Sequence, residues 1–211
     1  MKILHSIADS LQQGDGEQVL ALTRAAIEQQ IAPKQILDGG LIAGMNAVGE
    51  QFRRHEIFLP DVLMAAKAMY AGLEVLKPLL EGGRVPTAGR VVIGTVKGDL
   101  HDIGKNLIGV MLRGAGFEVV DLGKDVAPER FCQGAREAQA QVIGMSALLT
   151  TTMPVMKQVV DLLAAQGLAG KVRTIVGGAP VSADFARGIG ADAYAYDAAN
   201  AVERIRTLIR A

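Results

Sequence analysis

The chain has 211 residues, half of them apolar, and 22 basic side chains balance 22 acidic ones. That length allows one large domain or two small ones around a sizeable core. A balanced charge with no basic face argues against nucleic acid as a partner. The lack of a long unbroken apolar run argues against a membrane span, and the single cysteine, Cys132, excludes an internal disulfide.

From the N-terminus, "MKILHSIADSLQQGDGEQ" has no apolar signal core, so with its lone cysteine the chain is expected in a reducing cytoplasm. Residues 1 to about 80 carry helical periodicity only. Ile3, Leu4, Ile7 and Leu11 recur at helix spacing until Gly14-Asp15-Gly16 breaks the pattern. Val19, Leu22, Ala26 and Ile27 mark a second helix. Pro33 opens a third, with Ile36, Leu37 and Leu41 as its stripe, and Pro60 opens a fourth, with Leu63, Met64, Lys67 and Ala68 following. Short connections predict a four-helix bundle over residues 1–85. "EGGRVPTAGR", residues 81–90, reads as an interdomain linker able to act as a hinge.

Over residues 86–211 the pattern alternates. "RVVIGTV" is a first strand, followed by a helix from about Asp102 to Gly114. "FEVVDLG" is a second strand before the helix "PERFCQGAREAQA", and "QVIGMS" a third before a helix over 153–166. "KVRTIVGG" and "ADAYAY" are the fourth and fifth strands, with a helix to close the chain. Strands alternating with helices predict an α/β domain with a five-stranded parallel sheet.

In such sheets ligands bind beyond the carboxyl ends of the strands. There the first strand runs into "KGDLHDIG", the third into Ser146 and Thr150 to Thr152, the fourth into Gly177-Gly178 and the fifth into Tyr196-Asp197. Small and hydroxyl residues at one edge fit a crevice, but Gly, Asp and Thr also close ordinary turns and cap helices. A dinucleotide loop is a poor match, because Asp99 and Asp102 between Gly98 and Gly104 would repel a pyrophosphate. His5, His55, His101 and Cys132 are too scattered for zinc, and Ser146 lacks the glycines of a nucleophile elbow. His101 then reads as the ligand of a metal brought in whole, inside a macrocycle, since a lone imidazole supplies one bond. Asp99 could accept from the other ring nitrogen, and a hydroxyl such as that of Thr152 could donate to the carboxylate.

Asp99-x-His101-x-x-Gly104, then Ser146-x-Leu148, then Gly177-Gly178, resembles the fingerprint of cobalamin-binding Rossmann-like domains. These are found in methionine synthase, coenzyme B12 mutases and the corrinoid proteins of methyltransferase systems. "VGEQFRRHEIFLPDVLMAAKAM", residues 48–69, is similar to the helical cap that precedes the domain in methionine synthase and in small corrinoid proteins. The resemblance implies a helical bundle cap, residues 1–85, before a Rossmann-like (flavodoxin-like) domain, residues 86–211. The cofactor would be cobalamin or a related corrinoid, with His101 as the lower axial ligand of cobalt and Asp99 and Thr152 as the relay behind it. Asp102 and Ile103 would be further contacts, and Gly104, Ser146, Leu148, Thr150, Gly177 and Gly178 would line a channel for the nucleotide tail. Phe58 and Met64, with Leu59 and Leu63, would cover the upper face, although bundle core is the plainer reading of Leu59 and Leu63.

The implied function is a methyl carrier without complete catalysis of its own. Co(I) would accept a methyl group from a donor methyltransferase. Methyl-Co(III) would pass it to a second, acceptor methyltransferase, onto a thiol or tetrahydrofolate. The donor enzyme would be a TIM barrel acting on a methylamine, methanol or a methoxylated compound, and a reductive activase could be a further partner. Alternatives within the resemblance are a cobalamin-dependent sensor, an adenosylcobalamin mutase small subunit, and a scaffold that has lost its cofactor.

Overall fold

In the computed structural model, which describes residues 2–80 and 87–210, the breaks in apolar periodicity become helix ends. Helix α1 (Lys2–Gln12) leads to Asp15, which caps α2 (Gly16–Glu28) by accepting the Gln18 N–H at 2.9 Å. Pro33 sits in the opening turn of α3 (Pro33–Ile36), which continues through a π-helical stretch, Leu37–Ile42, into α4 (Ala43–Arg53). Glycines along this third helix let α1 come close: a Cβ at Gly44 would lie 2.9 Å from the Ala8 carbonyl oxygen. Helix α5 (Leu59–Leu76) starts with Pro60 in its first turn and Asp61 accepting the Phe58 N–H at 2.8 Å, and ends in the 3₁₀ turn Lys77–Leu79.

The buried face of α5 differs from the stripe expected. Val62, Ala65, Ala66, Ala68, Met69, Gly72 and Leu76 are buried, while Leu63 and Met64 are 48 % and 53 % exposed. Close packing on α2 selects the small residues here, and a Cβ on Gly72 would fall 2.7 Å from Leu41. Bundle core is therefore the wrong reading for Leu63, and Leu59 is half-buried.

The remaining elements are β1 (Arg90–Thr95), α6 (Ile103–Gly114), β2 (Glu118–Asp121), α7 (Pro128–Glu137) and β3 (Val142–Ser146). After them come α8 (Pro154–Ala165), β4 (Arg173–Gly177), α9 (Ala183–Gly188), β5 (Ala193–Ala195) and α10 (Ala198–Arg210). All strand pairs are parallel, in the order β2-β1-β3-β4-β5. Right-handed crossovers put α6 on the face of the sheet opposite α7, α8 and α9. The main core joins Val92, Ile143 and Val176 from the sheet to Phe131, Met156 and Val159 from α7 and α8. Helix α9 was not expected. It is only six residues long, opened by Ser182 accepting the Phe185 N–H at 3.1 Å, too short for apolar periodicity to reveal.

The chain divides into two compact units, Met1–Thr87 with Arg113–Gly116, and Ala88–Leu112 with Phe117–Ala211. The expected linker and domain boundary fall largely on residues 81–86, outside the described residues.

Candidate functional site

The connections from β1 and β3 leave toward opposite edges of the sheet, so the carboxyl ends of these neighbours form its topological switch point. Two loops meet there, Val96–Asp102 after β1 and Ala147–Met153 after β3. Gly98, with φ of +84°, turns the first loop under the second, and Thr95 secures it by donating its hydroxyl to the His101 carbonyl at 2.9 Å.

Asp99 joins the loops and is completely buried. Its Oδ1 accepts the His101 main-chain N–H at 3.0 Å and lies 2.8 Å from His101 Nδ1. Its Oδ2 accepts the N–H groups of Leu148 at 2.7 Å and Leu149 at 3.1 Å, and stands 3.0 Å from Thr152 Oγ1. Burial works against the ionised form, but the donors from His101, Leu148 and Leu149 outweigh it and hold the carboxyl well below the usual carboxylate range. An ionised carboxylate only accepts, so the hydrogen on the facing imidazole nitrogen belongs to Nδ1. Neutral His101 therefore offers the lone pair of Nε2, on a ring 54 % exposed to solvent. The Thr152 hydroxyl also lies 2.8 Å from the Leu149 carbonyl, and its single hydrogen serves one of its two acceptors at a time.

The other expected residues divide. Asp102 precedes the first residue of α6 and its carbonyl accepts the Asn106 N–H at 2.8 Å, the position of a helix-capping residue. Ile103 is 75 % exposed and Leu148 is 42 % exposed. Ser146 is half-buried at the end of β3, and Thr150 is exposed and not among the donors to Asp99. A Cβ added at Gly104 would meet nothing within 4 Å, so the fold itself does not require a glycine there. The other two glycines are needed by the backbone. At Gly178, φ is +128° and a Cβ would lie 1.9 Å from the Ala147 carbonyl oxygen, and at Gly177 one would lie 2.9 Å from that of Ala195. In the helical unit Phe58 is 69 % exposed and Met64 more than half exposed.

Three participants escaped the sequence reading. Leu149 supplies an N–H to Asp99, Leu100 adds a large exposed apolar side chain beside His101, and Asp125 holds the loop from below. Apolar residues inside loops otherwise rich in Gly, Asp and Thr were the available signal for the leucines. Leu100, Leu148 and Leu149 on the two loops, and Ile103 at the start of α6, are all exposed around the Asp99–His101 pair, which suits a flat ligand with an apolar face.

No group of three or more His, Cys, Asp or Glu among the described residues could hold a bare metal ion. A single imidazole with a fixed tautomer fits a metal that arrives with its remaining ligands. No described helix is long and apolar enough to cross a membrane.

The B12 binding domain family matches residues 89–206, and a second family described as a B12 binding domain matches residues 3–77. The chain is 45 % identical to the dimethylamine corrinoid protein of Methanosarcina barkeri over 209 residues, 99 % of this chain and 98 % of that one. It is 43 % identical to trimethylamine corrinoid protein 2 of Methanosarcina acetivorans over 211 residues, covering 99 % and 97 %. Among solved structures it is similar to the methanol:cobalamin methyltransferase complex from Methanosarcina barkeri, with a TM-score of 0.89 and 34 % identity, covering 99 % of this chain and 80 % of that one. A cobalamin-binding protein from Desulfitobacterium hafniense gives a TM-score of 0.81 at 31 % identity, covering 97 % and 98 %.

Proposed function

Since the chain belongs to the B12-binding family, as a corrinoid protein of methyltransferase systems, we propose that it shuttles a methyl group between two of those enzymes. The corrinoid, when bound, supplies the cobalt centre that takes up and gives up the methyl group.

The observation that carries the residue assignment is the Asp99–His101 pair with Nδ1 at 2.8 Å from Oδ1. His101 would hold cobalt through Nε2. Asp99 keeps the proton on Nδ1 and so leaves the lone pair of Nε2 for the metal. The Leu148 and Leu149 N–H groups, with Thr152, keep Asp99 charged and aimed, so the ligand is set before any cofactor arrives. Leu100, Ile103, Leu148 and Leu149 would cover the apolar face of the macrocycle and keep water from the coordinating nitrogen. Gly104 and Ser146 are the first candidates to line a tail channel, Gly104 because the space beside it is open. Gly177 and Gly178 would contribute by bringing the backbone close, a role their packing already requires. Asp102 would serve by starting α6, Thr150 would be a rim contact, and Phe58 and Met64 are candidate corrin contacts on the helical unit.

The donor we propose is a methylated amine, because relatives at 42–45 % identity over nearly the whole chain are dimethylamine and trimethylamine corrinoid proteins. The acceptor would be a thiol or tetrahydrofolate, each reached through its own methyltransferase, with a TIM-barrel enzyme on the donor side and a reductive activase as a third partner. Reconstitution with hydroxocobalamin tests the site: the absorption spectrum of wild type should differ from that of His101→Ala, and identical spectra would refute the axial-ligand assignment. Methyl transfer from dimethylamine with a matching methyltransferase, compared with methanol, tests the donor.

A further inference from the structure

The Asp99 N–H donates to the Val96 carbonyl within its own loop at 3.0 Å, and a residue of another loop grips the peptide on either side of it. Asp125, in the loop between β2 and α7, accepts the Gly98 N–H on Oδ1 at 2.7 Å, and its own N–H donates to the Asp99 carbonyl at 3.1 Å. These two bonds run in opposite directions and bracket the Gly98–Asp99 linkage. Asp125 adopts φ of +57°, a left-handed conformation that residues with a Cβ rarely take and that Asp and Asn tolerate best. Its neighbours leave it little freedom. Thr95 N–H donates to the Gly123 carbonyl and Val126 N–H to the Thr95 carbonyl, each at 3.0 Å, so the β1–β2 ladder continues on both sides of Asp125 and ends in the Val96–Val126 bridge. A strained residue kept in place by its surroundings is a mark of a positioned site.

We infer that Asp125 is a positioning residue for His101: its reciprocal bonds with Gly98 and Asp99 set the peptide from which the Asp99 carboxylate reaches the His101 ring and the Leu148–Thr152 turn together. The importance given to His101 rests on the cofactor reading above, but the positioning itself concerns this chain alone. The chain of causes is short. Asp125 fixes the turn at Gly98, the turn aims Asp99, and Asp99 chooses which imidazole nitrogen keeps its hydrogen.

Two substitutions separate the hydrogen bond from the backbone conformation. Asp125→Asn keeps an acceptor oxygen and tolerates a positive φ. Asp125→Gly tolerates it even better and has no acceptor. The measurement is long-range ¹H–¹⁵N NMR of the protein without corrinoid at about pH 8.5, above the ordinary histidine range of roughly 6.5. It reads the His101 tautomer ratio and the Leu148 and Leu149 amide shifts, with a His101→Ala spectrum to assign the ring. Wild type and Asp125→Asn should show predominantly the Nδ1–H tautomer. Asp125→Gly should lower the ratio of Nδ1–H to Nε2–H by roughly two- to tenfold, the change one net hydrogen bond corresponds to, and should move both amides. A wild-type ratio in Asp125→Gly would overturn the proposal, and so would an equal fall in Asp125→Asn. Because no corrinoid is present, a wild-type protein that failed to coordinate cobalt would refute the ligand role of His101 and leave the Asp125 result to stand by itself.

Discussion

One carboxylate of Asp99 joins two loops: Oδ1 takes the His101 ring nitrogen Nδ1 at 2.8 Å, and Oδ2 takes the Leu148 N–H at 2.7 Å. Asp99→Asn follows from this division of labour. An amide has one accepting oxygen, and the Leu148 and Leu149 N–H groups claim it. Its NH₂ then faces His101 Nδ1, which must become the acceptor and send the hydrogen to Nε2. We expect Asp99→Asn to bind cobalamin yet lose the nitrogen ligand proposed for His101, as His101→Ala should. Electron paramagnetic resonance of the Co(II) form reads this directly. Retention of the ¹⁴N splitting in Asp99→Asn would contradict the tautomer assignment.

The lowered pKa of Asp99 also sets a pH dependence. A carboxyl whose folded pKa lies below its unfolded value of roughly 3.9 contributes stability that is fully present above that value and drains away as pH falls through the folded one. The wild-type advantage over Asp99→Asn in denaturant unfolding should therefore be greatest near neutrality and shrink steadily below about pH 4. A stability difference flat from pH 7 to about pH 2 would show that the carboxylate is not what the donors hold.

Much of this site was legible because its chemistry is local. Asp99 and His101 lie two residues apart, so one strand end delivers both, and Thr152 follows from the end of the adjacent strand. The first four strands were legible from β-branched runs, whereas β5, Ala193–Ala195, has no β-branched residue. What stayed hidden depends on contacts distant in sequence. The acceptor role of Asp125 needs the register of β2 against β1, the requirement for Gly178 needs the position of Ala147, and the buried face of α5 is chosen by small residues instead of Leu63 and Met64. The π-helical stretch Leu37–Ile42 and the six-residue α9 are too short to impose a period on the sequence.

Two glycines of the expected channel should behave oppositely when filled. Gly104→Ala adds a Cβ into open space near a helix start, so stability should hold or rise, by up to about 1 kcal/mol, while a larger Gly104→Leu should weaken cobalamin binding by at least roughly tenfold without unfolding the protein. Gly178→Ala meets the Ala147 carbonyl and a strained φ, so it should cost about 2 kcal/mol or more whether or not a corrinoid is present. Denaturant midpoints and cobalamin titrations separate the cases. Undiminished binding by Gly104→Leu would remove Gly104 from the channel.

Lys105 is a buried cation in the first turn of α6. One residue beyond Gly104, it is 3 % exposed, and its ammonium meets Asp121 Oδ1 and Oδ2 at 2.7 and 2.6 Å and Asn106 Oδ1 at 2.6 Å. All three N–H groups are used, which leaves the amine no proton to offer chemistry and ties the first turn of α6 to the end of β2. Lys105→Met strips the cationic partner from Asp121, but the Asp121 carboxylate keeps the Gly123 N–H at 2.8 Å and is 30 % exposed, and water can take up part of the loss. The cost should therefore fall at or below the low end of the roughly 3–5 kcal/mol for a broken buried pair, about 2–3 kcal/mol. Removing the stranded charge as well, in Lys105→Met with Asp121→Asn, should recover much of it, and a double-mutant cycle by urea unfolding measures that coupling. Independent, additive costs would mean that the two groups do not depend on one another. The axial nitrogen signal should survive in Lys105→Met, because the hydrogen bonds that aim His101 run through Asp99 and none of them through Lys105.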